Sequence, residues 1–132
     1  MKITSKSIIE ELLSIPEQIS MIENRLYQHK TSIDNYKSKM SIIELNAKDT
    51  INTATTKDGK KLYPNDDARK TALNLYLAED TKYNSYIEEI KKTESLINSD
   101  QIEIGLLNNK QRNIKSILDY LKSDKSIEEV LS

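Results

Sequence analysis

The first half of the chain carries apolar residues at spacings that alternate between four and three. Two such sets interleave between residues 15 and 54, and polar residues interrupt them at only two positions. The apolar members are Ile15, Ile19, Ile22, Leu26, Ile33, Tyr36, Met40, Ile43, Ala47 and Ala54. This heptad pattern is typical of a coiled-coil helix, so we predict one long helix over residues 15–54. Ser14 and Glu17 have the spacing of a capping box at its start.

Turn-forming residues interrupt the pattern near the middle of the chain. Asp58-Gly59 is suited to a tight turn or a minimal β-hairpin, because glycine tolerates a positive φ. Pro64 disfavours helix at the residue before it, and Asn65 can cap the helix that follows. We therefore predict a loop over residues 55–65, at the tip of a helical hairpin.

A second heptad pattern follows the loop and predicts a long helix over residues 66–104. Its main set is Tyr76, Tyr83, Ile90, Ile97, Ile104 and Leu118, with Gln111 between the last two. The companion set begins with Leu73 and Ile87 and then becomes polar, before the apolar stripe moves to Leu107, Ile114 and Leu121. Gly105 lies where the stripe moves, so we predict a bend there and a further helix over residues 106–122.

The two ends of the chain predict short additional helices. A capping box at Ser7 and Glu10 indicates a helix over residues 7–13, and Ser126 can cap a terminal helix over residues 126–131. The predicted fold class is all-α. It is a single domain, a long antiparallel two-helix coiled-coil hairpin with a small helical base formed by the N- and C-terminal segments.

Polar residues stand at some of the predicted seam positions. Single polar residues of this kind commonly fix register or oligomeric state at a cost in stability. The candidates for this role are His29, Thr50, Glu94, Gln101 and Asn108. Apolar residues also lie off the main seams, and they either cover its flanks or face a second copy in a homodimer. The pattern leaves open whether the long helices pair within one chain or between two.

The composition excludes several classes of function. The chain has 20 Lys and Arg, 21 Asp and Glu, no Cys and one His, and its net charge is −1. It therefore has no disulfide framework or thiolate metal site, and we expect no cofactor. With one His on a seam and no Gly-rich phosphate loop, we find no catalytic constellation and expect no enzyme activity. No apolar run suits a membrane span, and the start lacks the pattern of a signal peptide, so we expect a cytoplasmic protein.

Charged residues surround the predicted loop and have more than one interpretation. The candidate contacts with a partner or with nucleic acid are Lys57, Lys60, Lys61, Tyr63, Arg69 and Lys70. Cations beside an aromatic ring can bind phosphates and stack on a base. Asp58, Asp66 and Asp67 dilute that field, so a solvated loop of mixed charge is the alternative. The same carboxylates lack calcium-loop spacing and serve equally as turn and capping residues.

The central residues also carry a family resemblance. They are Asp58-Gly59-Lys60, Leu62-Tyr63-Pro64-Asn65, Arg69-Lys70 and Leu77-Ala78-Glu79-Asp80, followed by the second heptad pattern. This arrangement resembles small coiled-coil proteins of bacteriophage early and recombination gene clusters, in which a heptad helix precedes a loop similar to D-x-x-G-K-x-x-Y-[ST]-N, an Arg and a second helix. The resemblance covers about residues 15–122.

The resemblance implies a phage setting, among proteins that handle nucleic acid, and no particular activity. The leading hypothesis is a non-catalytic interaction protein that binds a nuclease, a recombinase or a defence complex in the host cytoplasm. Inhibition of a host defence nuclease, in the manner of an anti-CRISPR, is one form. The alternatives are an accessory role in phage recombination, direct nucleic-acid binding through the loop lysines, and a structural or assembly role.

Overall fold

A computed structural model describes residues 5–123 of the chain. Three helices account for most of this range: α1 (Ser5–Thr53), α2 (Asp66–Glu79) and α3 (Thr81–Ser123). The one β contact among the described residues is an isolated bridge between Thr55 and Lys61. The all-α prediction is therefore confirmed for the part of the chain that the structure describes.

Helix α1 is continuous where the sequence predicts two helices. Pro16 lies inside it, although an interior proline removes a backbone hydrogen bond and costs about 3 kcal/mol. Ser14 does not cap a new helix, since its hydroxyl donates to the carbonyl of Glu11 at 2.8 Å. Packing explains the continuity, because Ile8 before the proline and Ile15 next to it belong to one buried cluster. The predicted separation of residues 7–13 from residues 15–54 is absent.

The predicted helix over residues 66–104 is instead broken at Asp80. The backbone of Asp80 is extended, with φ −76° and ψ 114°, and its carboxylate accepts from the Tyr83 N–H at 2.7 Å. The Asn84 side chain donates to the carbonyls of Ala78 and Asp80 at 2.9 and 2.8 Å. Asp80 thus caps the start of α3, while Asn84 satisfies carbonyls at the end of α2.

The predicted division at Gly105 is also absent. Gly105 lies in the interior of α3, and a Cβ atom built on it would meet nothing within 4 Å. No close contact within the described chain therefore requires a glycine at this position. The predicted terminal helix over residues 126–131 lies outside the described residues.

The described helices form two compact units. Among the described residues, the first unit contains residues 5–28 and 96–123, and the second contains His29–Ser95. In the first unit, Ile8, Ile15 and Ile114 form a buried cluster. Leu12, Ile19, Leu107 and Leu118 pack against it.

Polar contacts show that the helical segments of the first unit are antiparallel. Glu11 near the start of α1 pairs with Lys110, whereas Arg25 further along α1 pairs with Asp100. Residue numbers rise on one segment as they fall on the other. The two ends of the described chain are therefore packed together by a shared apolar core.

The second unit has an antiparallel pair of its own. The Tyr83 hydroxyl donates to a Glu44 carboxylate oxygen at 2.7 Å. The rings of Tyr36 and Tyr86 lie 5.8 Å apart with a tilt of 34°, and the Lys39 ammonium lies 5.7 Å from the centre of the Tyr86 ring. Ile33, Ala47 and Ile51 are buried on the α1 side. This unit carries the loop and α2.

The buried polar positions of α3 differ from those that the heptad pattern indicates. Glu94, Gln101 and Asn108 are exposed, whereas Thr93 and Asp100 are only 8% and 5% exposed. Thr93 and Asp100 share the seven-residue spacing of Leu107, so the apolar stripe moves well before Gly105. These polar side chains tolerate burial because Thr93 donates to the Glu89 carbonyl at 2.8 Å and Asp100 binds Arg25.

The two polar seam candidates on α1 also differ from each other. His29 is half-buried, as a seam position requires. Thr50 is exposed, and its hydroxyl donates to the Asn46 carbonyl of its own helix at 2.9 Å. Of the two register-setting candidates on α1, His29 therefore lies on the packed face and Thr50 does not.

Candidate interaction surface

The loop between α1 and α2 is held by backbone hydrogen bonds. The Thr56 N–H donates to the Lys60 carbonyl at 2.7 Å, and the Gly59 N–H donates to the Thr56 carbonyl at 3.0 Å. Gly59 has a φ of 79°, which side chains other than glycine rarely adopt. The turn leaves Lys57, Lys60 and Lys61 exposed.

Arg69 fastens the end of this loop to α2. Its guanidinium donates to the Tyr63 carbonyl at 3.2 Å and forms a short hydrogen-bonded ion pair with Asp66. The Arg69 side chain is only 28% exposed. Arg69 therefore has a structural role, and it is less exposed to a partner than the loop lysines are.

Tyr63 and Lys70 lie beside different depressions. Lys70 lines a depression shared with Lys48 and Leu73, whereas Tyr63 lines a groove along another face of α2. The six residues predicted as partner or nucleic-acid contacts are thus three lysines of the turn, one structural arginine, one lysine beside α1 and one tyrosine in the groove. Tyr63 and Lys70 therefore do not share one binding depression.

Helix α2 is well capped but poorly packed. The Asn65 side chain accepts from the Ala68 N–H at 2.8 Å, and Asp66 and Asp67 lie in the first turn, where the helix dipole favours negative charge. None of the 14 residues of α2, all described, is buried. Most helices of this length are stabilised by burying one face, so the absence of a buried residue is informative.

One face of α2 is apolar and exposed. Leu75 is 63% exposed and Tyr76 is 47% exposed, although the heptad pattern predicts Tyr76 on the main seam. Together with Ala68, Ala72 and Tyr63 they line an open groove of about 600 Å³. Thr71 lies in the middle of the lining, and Asp67 and Glu79 lie at its two ends. We call this surface the α2 groove.

The described residues show no arrangement suited to metal binding. No group of three or more His, Asp or Glu side chains that could hold a metal ion occurs between residues 5 and 123. Asp66 is paired with Arg69, and Asp67 stands apart from it in the α2 groove. No helix within these same residues is long and apolar enough to cross a lipid bilayer.

Arg25 and Tyr83, which both lie outside the α2 groove, have shifted pKa values. The pKa of Arg25 is raised, chiefly by its hydrogen bond to Asp100. The pKa of Tyr83 is raised by its hydrogen bond to Glu44, with smaller contributions from burial and from the Glu44 charge. Each shift stabilises the protonated form of a side chain that connects two helical segments.

The α2 groove has a sequence signal that the heptad analysis does not isolate. Ala68, Ala72, Leu75 and Tyr76 follow spacings of four, three and one, which place them on one face of a helix. Leu73 and Leu77 lie on a different face of this helix. The separation of the two faces appears only when α2 is treated as a separate helix. The break at Asp80 is therefore what defines this face.

No protein-family model, no curated protein and no solved structure matches the chain.

Proposed function

We propose that the protein is a non-catalytic interaction protein that binds another protein through the α2 groove. The observation that carries this proposal is a capped 14-residue helix that buries none of its residues and exposes Leu75 and Tyr76. An exposed apolar helix face rimmed by polar residues is a common feature of protein-binding surfaces. Tyrosine is also enriched at such interfaces because it combines a large rigid ring with a polar end.

The scaffold of this proposal is an antiparallel coiled-coil hairpin with a base built from the terminal segments. Support comes from the heptad positions, since Ile15, Ile22, Ile33 and Ala47 are all buried. The antiparallel contacts within each unit agree with the same pairing. A scaffold of this kind would present α2 and the preceding loop to a partner.

The partner class follows from the resemblance to phage coiled-coil proteins. Two of the residues that carry the resemblance, Tyr63 and Glu79, also line the α2 groove. We therefore propose a partner that processes nucleic acid in the host cytoplasm. A host defence nuclease inhibited by the protein, or a phage recombination protein assisted by it, fits this class.

Direct nucleic-acid binding is a second candidate, supported by the exposure of Lys57, Lys60 and Lys61 on one turn. Such binding would neutralise phosphates and would weaken as the salt concentration rises. It makes no use of Leu75 or Tyr76, so the two candidates can be separated by substitution.

The test is affinity capture from cells that naturally make the protein, with four forms of the chain compared. These are the wild type, Leu75→Ser/Tyr76→Ser, the loop variant Lys57→Glu/Lys60→Glu/Lys61→Glu, and the control Ile102→Ser/Leu106→Ser. The control changes two exposed apolar residues of the first unit, which are 57% and 64% exposed. Circular dichroism verifies that all four are equally helical.

We expect one protein to be captured by the wild type, the loop variant and the control, and to be lost with Leu75→Ser/Tyr76→Ser. Undiminished capture by that variant would contradict the proposal. If only the loop variant fails to capture the protein, and nuclease treatment of the wild-type sample also abolishes capture, nucleic-acid binding would be favoured instead.

A further inference from the structure

We infer that the occupant of the α2 groove is an amphipathic helix of a partner protein, with an apolar stripe flanked at both ends by Lys or Arg. This inference rests on the proposed function and specifies the chemistry of the partner. It follows from the dimensions of the groove, from its lining and from the charges at its ends.

The length of the groove fits about three turns of helix. Asp67 and Glu79 are 12 positions apart on one helix, which corresponds to roughly 18 Å along its axis. Between them, the small side chains of Ala68 and Ala72 leave room for a second backbone to approach, and Leu75 and Tyr76 project beside that space. A helix that places apolar residues at i, i+3, i+4 and i+7 matches this surface.

The ends of the groove select the charge of its occupant. Asp67 and Glu79 are the charged members of the described lining, and both are exposed. Neither forms an ion pair with any residue between 5 and 123, whereas Arg69 and Lys70 of the same helix line a different depression. Carboxylates at both ends favour cationic residues on either side of the partner's apolar stripe.

The same charges argue against a second copy of this chain in the groove. In an antiparallel arrangement of two α2 helices, Asp67 of each copy would face Glu79 of the other. In a parallel arrangement, like carboxylates would also face each other. Both arrangements bring anionic groups together, and residues 124–132 of the chain itself carry three carboxylates against one lysine.

The experiment is a selection from a displayed library of random 16-residue peptides against the full chain. Peptides that also bind Leu75→Ser/Tyr76→Ser are removed, and the affinities of the remaining peptides are measured by fluorescence anisotropy. Two further variants are compared: Asp67→Asn/Glu79→Gln in the groove, and Asp34→Asn/Glu94→Gln as the control. The control removes the same charge from two exposed carboxylates of the second unit.

We expect the selected peptides to share a helical apolar stripe with Lys or Arg at both ends. Their affinity should fall roughly three- to tenfold for Asp67→Asn/Glu79→Gln at 50 mM salt, and less at 500 mM, since exposed ion pairs are screened. The control should bind as the wild type does. Selected peptides with neutral or acidic flanks, or equal affinities for the two carboxylate variants, would overturn the inference while leaving the proposed function intact.

Recovery of no peptide whose binding depends on Leu75 and Tyr76 would also overturn the inference. The proposed function would then be decided separately by the capture experiment, which requires no assumption about the shape of the partner. Association of the wild type with itself that is lost in Leu75→Ser/Tyr76→Ser, measured by light scattering, would show that a second copy fills the groove and would contradict the charge argument.

Discussion

Arg25 and Asp100 are 75 positions apart in the chain and form a two-pronged ion pair in the first unit. The Arg25 Nε atom lies 3.1 Å from each Asp100 carboxylate oxygen, and Nη2 lies 2.6 Å from Oδ1. The Asp100 side chain is 7% exposed and that of Arg25 is 48% exposed. Because this geometry is lost if one helix slips along the other, the pair is suited to fixing the register of α1 and α3.

The unequal burial of this pair predicts unequal effects of substitution. Arg25→Leu removes the guanidinium from a carboxylate that is shielded from water, whereas Asp100→Leu leaves a half-exposed arginine that water can solvate. We expect Arg25→Leu to lower the urea midpoint of unfolding more than Asp100→Leu does. Urea titrations followed by circular dichroism measure both midpoints.

The double variant Arg25→Leu/Asp100→Leu is the control for this prediction. Removing both charges should recover much of the stability lost in Arg25→Leu, since a buried pair replaced by apolar residues is often close to neutral. If the losses of the two single variants simply add in the double variant, the pair does not act as a unit.

Ile15 is the central residue of the first unit's core and is 0% exposed. Ile15→Ala removes buried methyl groups and leaves a cavity, so we expect the free energy of unfolding to fall by about 2–4 kcal/mol. The matched control is Ile9→Ala, at a position that is 46% exposed, for which we expect a much smaller loss. Equal losses for the two variants would show that Ile15 is not in the core.

The hydrogen bond from Tyr83 to Glu44 predicts a dependence of stability on alkaline pH. This bond raises the pKa of Tyr83 above its ordinary value of 10.0. The resulting stability is therefore complete below about pH 10 and is lost as the pH rises through the pKa of the folded state. Tyr83→Phe should lower the free energy of unfolding by about 0.5–1.5 kcal/mol at pH 8, and by less at pH 11.

Urea unfolding at the two pH values measures that difference for wild type and Tyr83→Phe. Absorbance at 295 nm gives an independent reading, because the spectrum of wild type minus Tyr83→Phe isolates the ionisation of one phenol. A difference titration centred at or below pH 10 would be inconsistent with the Tyr83–Glu44 contact.

The capped break between α2 and α3 predicts a local change in dynamics. Asn84→Ala removes the donors to Ala78 and Asp80, so we expect a loss of about 1 kcal/mol and faster hydrogen exchange at the end of α2. Asn98→Ala, at an exposed position of α3, makes the same change in helix propensity and serves as the control. Unchanged exchange in α2 would mean that Asn84 does not hold this helix end.

The sequence predicts the larger features of the fold because they depend on repeated local patterns. The heptads of α1, the loop near Gly59 and the all-α class all rest on spacing and on turn residues. The continuity of α1 through Pro16 depends instead on the packing of Ile8 with Ile15 and Ile114, which are distant along the chain. A local rule for helix starts cannot weigh that contact.

The candidate site is predicted less well, for a related reason. The sequence indicates the cations of the loop as candidate contacts, but only the fold shows that Arg69 binds the Tyr63 carbonyl and Asp66. The α2 groove depends on the break at Asp80, and that break is stabilised by a few hydrogen bonds rather than by a long pattern. Sites of this kind require the positions of individual side chains.

Site-specific photocrosslinking in cells that make the protein tests most directly whether α2 is the binding surface. A benzophenone amino acid replaces Tyr76 in the α2 groove and, as the control, Tyr120 in the first unit, which is 65% exposed. We expect a discrete adduct between the protein and one other protein from position 76, and no such adduct from position 120. The same adduct from both positions, or none from position 76, would contradict the claim that α2 is the binding surface.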